Sequence, residues 1–147
     1  MSLDLQSNIS LRPYNTLQID VQTDLFAELH HLDDCVHLPA LCRNQPLLIL
    51  GGGSNVVLAG DFHGLTLLNR LRGITVLAED ADTVQVRVAA GEIWDAFVQY
   101  SLEQSWCGLE NLSAIPGTVG AAPIQNIGAY GVELKDVFLR VGVFYLH

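Results

Sequence analysis

The sequence predicts an α+β protein of two small lobes that meet near residues 69–73, with one lobe over 1–72 and the other over 73–147. Three observations predict it. Short runs of branched apolar residues recur between turn formers, which is the mark of many short strands. Only one stretch, Glu92 to Gln104, carries convincing helical periodicity. The chain is 147 residues long and 50% hydrophobic, enough to bury roughly 70% of its unfolded surface in a small domain.

The elements follow in order. Residues 1–16 read as an extended lead-in, with Pro13 and Asn15 as turn formers. Leu17–Val21 and Leu25–Leu29 are short strand candidates. Asp33 or Asp34 caps a short helix through Arg43, which Pro39 ends or kinks. Leu47–Leu50 is a continuous apolar run, as expected of a strand covered on both faces. Val56–Leu58, Leu65–Leu68, Ile74–Leu77 and Val84–Ala89 continue the β pattern, and Val84, Val86 and Val88 alternate with Gln85 and Arg87. In the helix, Ile93, Ala96, Phe97, Tyr100 and Ser101 share a face, and Gly108 follows as a stop. Residues 108–131 form a long glycine-rich segment. Val137–Leu146 is a last strand candidate with nothing after it to cover it, as if cut from a longer chain and prone to self-association through the surface left bare.

Charge narrows the function. Sixteen acidic and seven basic residues leave a net charge of −9, which argues against binding a nucleic-acid backbone. An anionic ligand would instead meet backbone N–H groups. Met1-Ser2-Leu3-Asp4-Leu5 lacks the basic and apolar regions of a signal peptide, and no apolar run reaches membrane-spanning length. Cys35, Cys42 and Cys107 form no Cys-x-x-Cys pair, and the five histidines have no ligand-like spacing. Reduced thiols, no metal site and a cytoplasmic location are expected.

Two glycine segments carry the chemistry. Gly51-Gly52-Gly53-Ser54-Asn55 directly follows the Leu47–Leu50 run. Such a turn can aim successive N–H groups at phosphate oxygens, with the Ser54 hydroxyl and Asn55 amide as further donors. The plainer reading is a tight turn between strands. A P-loop is excluded because no lysine precedes Lys135, and a Rossmann fingerprint because Val56 stands where a small residue is needed. The second segment, Ile115 to Gly131, mixes Gly, Ala, Pro, Gln and Asn. Small residues let a flat ring lie against the main chain, and Gln125 and Asn126 offer donors and acceptors to its edge. Packing against a helix is the competing explanation.

Leu50–Asn55, Gly108-Leu109-Glu110-Asn111-Leu112 and the Ile115–Gly131 block, with Asn15-Thr16-Leu17 ahead of them, stand in an order and spacing that resemble the UDP-N-acetylenolpyruvoylglucosamine reductase family. The resemblance spans roughly residues 12–146. It implies the two-lobed FAD-binding domain of the vanillyl-alcohol-oxidase-like (PCMH-type) superfamily, with an incomplete second lobe and no substrate domain. It further implies an NADPH-dependent oxidoreductase of peptidoglycan precursor synthesis that converts UDP-N-acetylglucosamine enolpyruvate to UDP-N-acetylmuramate. By similarity, Gly51, Gly52, Gly53, Ser54 and Asn55 would meet the FAD pyrophosphate. Pro116, Gly117, Gly120, Ala121 and Ala122 would line the cofactor, and Ile124, Gln125, Asn126 and Gly128 would lie beside the isoalloxazine. Some members carry Ser at the positions of Ala121 or Ala122, so one hydroxyl donor is missing here. Tyr130 would face the nucleotide-sugar pocket. The family's catalytic arginine, glutamate and serine fall beyond this chain, and Arg140 lacks their context, so no catalytic residue is assigned and no turnover is expected of the chain alone.

The remaining residues have blander readings. Trp94 and Trp106 are core or interface aromatics, and Glu79, Asp80 and Asp82 a solvated hairpin loop. Glu110 and Asn111 brace the glycine segment. Arg70 and Arg72 suit a surface role as well as a phosphate. Competing functions are another flavin oxidase or dehydrogenase of the same superfamily, which would want a His or Cys near the first glycine loop, and a ligand-free, non-catalytic module.

Overall fold

A computed structural model describes residues 3–146. The chain forms two compact units: one ends at Leu71 and takes in the tail from Gly142, and the other runs Arg72–Val141.

The first unit is built on a four-stranded sheet of β1 (Gln6–Ser10), β2 (Gln22–Leu29), β3 (Leu47–Leu50) and β4 (Phe62–Asn69), in the order β1-β2-β4-β3. The β1–β2 pair is antiparallel, while β4 runs parallel to both β2 and β3. Strand β4 is central because Leu65, Thr66, Leu67 and Leu68 are apolar or locally satisfied on both faces, so both faces can be buried. The Thr66 hydroxyl donates to Thr23 Oγ1 at 2.9 Å, and Thr23 in turn donates to the Leu25 carbonyl at 2.9 Å, at the point where β2 shifts register. One core gathers Leu11, Val21, Phe26, Leu50 and Leu68, with Tyr14 stacked on Phe26 at 4.7 Å.

Several expectations are corrected here. Strand β3 lies at the sheet edge; Leu48 and Leu50 turn to the core and Ile49 faces out, so it is not covered on both faces. Leu17–Val21 is not a strand. The chain wraps around buried Asn15, whose Nδ2 donates to the Leu11 and Ile19 carbonyls at 2.8 and 3.0 Å while its Oδ1 accepts the Ile19 N–H at 2.9 Å. Val56 and Leu58 pack on the core without a ladder, and Val57 between them is exposed. The Asp33–Arg43 helix is a 3-10 stretch, Leu32–His37, leading into a single turn, α1 (Leu38–Leu41). Pro39 sits in the first turn of α1, where its missing N–H costs nothing, so it starts that turn rather than ending it.

The second unit opens with an antiparallel hairpin, β5 (Ile74–Glu79) and β6 (Val84–Val88). Asp80 closes its turn, accepting from the Asp82 and Thr83 N–H groups at 2.9 and 2.7 Å. Helix α2 (Trp94–Glu103) buries Trp94, Phe97, Val98 and Ser101, a face rotated from the expected one: Ile93 is the exposed residue before the first turn. The helix ends where Ser105 takes φ of 63°, not at Gly108. Its buried face meets Leu112, Ala122, Ile127 and Leu134, and Trp94 Nε1 donates to the Leu112 carbonyl at 2.7 Å. A short helix α3 (Ala122–Gln125) and a small hairpin, β7 (Gly128–Ala129) with β8 (Val132–Glu133), complete the unit. Residues 138–146 form no ladder among the described residues, and Leu139, Val141, Val143 and Phe144 are exposed. Apolar alternation marks a strand only when a partner edge is present to pair with it.

Candidate functional site

The two glycine segments lie in different units, Gly51–Asn55 in the first and Pro116–Tyr130 in the second. The first loop leaves the C-terminal end of the parallel strand β3 and is all bends, the end of a parallel strand at which ligands of α/β sheets gather. Gly53 takes φ of 62°, and a Cβ there would stand 2.0 Å from the Tyr14 carbonyl oxygen and 2.9 Å from Asn15 Cα. Its own carbonyl accepts the Thr16 N–H at 3.1 Å. Gly53 therefore seats the loop on the Asn15 turn; the space its missing side chain leaves belongs to Tyr14 and not to a ligand.

Within the seated loop Gly53 is buried, Gly51 and Ser54 are half-buried, and Gly52 and Asn55 are exposed. Among the described residues, the N–H groups of Gly52, Gly53, Ser54 and Asn55 have no protein acceptor, nor have the Ser54 hydroxyl and the Asn55 amide. Successive unpartnered N–H groups at a bend are one means of taking phosphate oxygens without cationic side chains.

The second segment is laid along residues 90–94. Trp94 N–H donates to the Gly117 carbonyl at 3.0 Å, Val119 N–H to Glu92 at 2.9 Å and Gly120 N–H to Ala90 at 2.8 Å. Gly120 must be glycine because a Cβ would meet Ala90 Cβ at 2.6 Å. Ala122 is buried in the core, Ala121 is part-buried, and Asn126 ends α3 in the left-handed region with φ of 48°. Gly120 and Ala122 thus shape the segment, and Pro116, Ile124, Asn126 and Gly128 are what it exposes. Ile124 is 86% exposed and Tyr130 91%. The Gln125 and Asn126 side-chain amides make no bond among the described residues. Tyr130 borders an open depression of about 540 Å³ shared with Asn126, Gly128, Glu133 and Lys135.

Thr118 lies between Gly117 and Gly120 in the second segment. It is 7% exposed, and its carbonyl accepts the Ala121 and Ala122 N–H groups at 3.0 and 3.1 Å; among the described residues no buried side-chain polar atom is left without a partner.

The carboxylates nearby are structural. Asp95 accepts the Ala114 N–H at 2.6 Å and the Ser113 hydroxyl at 3.0 Å, and these bonds hold its pKa below the usual carboxylate range. The Glu110 carboxyl is lowered by its own N–H and by that of Gly108, at 2.6 Å. Glu92 takes the Gly73 N–H at 2.7 Å and an Arg72 guanidinium N–H at 3.0 Å, which occupies Arg72 within its own unit. Burial raises the Cys35 thiol, with Asp34 adding to it, and burial raises Cys42. Among the described residues, no group of three or more His, Cys, Asp or Glu is placed to hold a metal ion.

The chain thus combines a mixed four-stranded sheet in one unit with antiparallel hairpins and a short helix in the other, each unit carrying one glycine-rich segment. A family model described as an FAD binding domain matches residues 23–145, and the chain belongs to that family. It is 55% identical over 140 residues to the UDP-N-acetylenolpyruvoylglucosamine reductase of Pseudomonas aeruginosa, covering 94% of this chain and 41% of the relative. The reductase of the same name from Chromobacterium violaceum is 52% identical over 146 residues, 96% of this chain and 42% of the relative. The crystal structure of the Thermus caldophilus reductase matches with a TM-score of 0.68 at 25% identity, covering 91% of this chain and 46% of that one. The chain thus spans about 41% of the length of the curated relatives it matches.

Proposed function

We propose that this chain is the FAD-binding part of an NADPH-dependent reductase that acts on a UDP-sugar enolpyruvyl ether in peptidoglycan precursor synthesis. The observation that carries the cofactor half is the row of unpartnered N–H groups from Gly52 to Asn55 in a chain of the FAD-binding family. The names of the relatives support the substrate half. When bound, FAD would supply the two-electron redox chemistry that links NADPH oxidation to double-bond reduction.

In this reading the residues 1–72 and 73–147 are the two cofactor-binding subdomains. Gly52, Gly53, Ser54 and Asn55 hold the pyrophosphate through their N–H groups, with Gly51 giving the backbone room to approach and the Ser54 hydroxyl and Asn55 amide adding donors. Pro116, Ile124 and Gly128 present an apolar surface for the flavin rings, on a course set by Gly117, Gly120, Ala121 and Ala122. Gln125 and Asn126 offer polar groups to the ring edge. Tyr130 borders the space for the nucleotide sugar. No helix among the described residues is long and apolar enough to cross a membrane, and a cytoplasmic site of action fits the nucleotide substrates. The exposed apolar residues between 137 and 146 favour self-association of the isolated chain.

Purification and titration with FAD test the proposal. A yellow protein, or one that quenches FAD fluorescence to saturation, supports it; a colourless protein that takes up no added FAD refutes cofactor binding by this chain.

A further inference from the structure

The glycine segment of the second unit is anchored at two points, and both anchors lie on residues 90–95. One is the set of main-chain bonds from Ala90, Glu92 and Trp94 to Gly120, Val119 and Gly117. The other is a side-chain clamp. Asp95, in the first turn of α2, takes the Ala114 N–H and the Ser113 hydroxyl on a single carboxylate oxygen, Oδ1. Gln99, one turn further along α2, places its Nε2 3.5 Å from the same Ser113 hydroxyl. Asp95 thus holds Ser113, and Gln99 reaches the same hydroxyl only at the outer limit of hydrogen-bonding distance.

The clamped residue has reason to move. Ala114 holds φ of 60° without being glycine, a conformation an L side chain adopts only under constraint. Directly after it the chain must deliver Ile115 and Pro116 to Gly117, itself at φ of 124°. Only two residues separate the clamp from the Gly117 anchor, so the turn at Ala114 sets the direction in which Pro116 is presented.

We infer that Asp95, aided by Gln99, is a positioning residue for the cofactor: it fixes the Ser113–Ala114 turn and thereby the course of Ile115–Gly117 beneath the flavin. This role rests on the FAD-binding reading above, whereas the clamp itself does not. Two variants of the full chain separate them. In Asp95→Ala, amide hydrogen exchange at Ala114 should rise about tenfold or more while exchange at Val98 and Ser101 inside α2 stays as in wild type. The FAD dissociation constant should rise about tenfold, and the circular dichroism of the bound flavin should change, a signature that lost stability alone does not produce. Asp95→Asn keeps an acceptor oxygen in place and should recover most of both effects. Ser113→Ala provides a milder lesion if Asp95→Ala does not fold.

Unchanged exchange at Ala114 overturns the clamp. Released exchange at Ala114 with unchanged FAD affinity and flavin dichroism overturns the positioning role. A wild-type chain that binds no FAD overturns the cofactor reading and the positioning role with it, and the Ala114 exchange still decides the clamp.

Discussion

Replacing Gly53 by alanine separates a seat for the loop from a contact with the ligand. The added Cβ would lie 2.0 Å from the Tyr14 carbonyl oxygen and 2.9 Å from Asn15 Cα. Ordinary contacts are about 3.5 Å, so the loop must open by more than 1 Å or so. That opening strains the 3.1 Å Thr16–Gly53 hydrogen bond and the turn held by Asn15. The left-handed backbone adds about 1–2 kcal/mol for any Cβ, overpacking about 1–3 kcal/mol, and a lost hydrogen bond about 1 kcal/mol. Gly53→Ala should therefore lose about 3–6 kcal/mol, a large share of a typical domain's stability. Urea unfolding followed by fluorescence measures it. Gly52→Ala is the control, since Gly52 is exposed and outside the left-handed region; it should change stability by less than about 1 kcal/mol. A Gly53→Ala chain that unfolds within about 1 kcal/mol of wild type would refute the seating argument.

Other outcomes follow from the same geometry. Asn15→Ala removes three hydrogen bonds from a buried turn and should cost about 2–4 kcal/mol by urea unfolding, with FAD affinity falling as the loop loses its support. Gly120→Ala drives a Cβ into Ala90 and should cost about 1–3 kcal/mol; the double change with Ala90→Gly should recover part of it, and additive losses would show that the two sites do not touch. Asp80, Asp95 and Glu110 have folded-state pKa values below their ordinary ones. Their contribution is therefore complete above the ordinary carboxylate range and is lost as pH falls through the folded values. The thermal midpoint should be level above about pH 5 and decline below about pH 4, and Asp95→Asn should make that decline shallower.

The sequence showed most of the sheet and helix pattern because burial writes itself into local periodicity. Leu47–Leu50, the core of β4, the β5–β6 hairpin and α2 were all legible in this way. The errors share a cause, which is that pairing is not local. Val56–Leu58 and residues 137–146 have strand composition but no partner, and Leu17–Val21 loses its ladder because Asn15 takes the Ile19 N–H. The face of α2 was misplaced by counting Ile93, which precedes the first turn and is 51% exposed. The two glycine segments stood out through composition and spacing. Which glycines serve packing could not be read there, because the atoms that exclude a Cβ at Gly53 and Gly120 come from Tyr14 and Ala90, 39 and 30 residues earlier in the chain. The Asp95 clamp was hidden for the same reason.

The surplus of acidic residues makes the mode of binding testable. In a chain of net charge −9 with seven basic residues, the proposed site would hold an anionic dinucleotide through main-chain donors. Comparing the affinities of this chain for FAD and for riboflavin, which lacks the pyrophosphate, tests that claim most directly. The Gly52–Asn55 donors should make FAD bind at least about tenfold tighter, with the preference lost when the loop is unseated in Gly53→Ala. Equal binding of the two flavins, or uptake of neither, would contradict it.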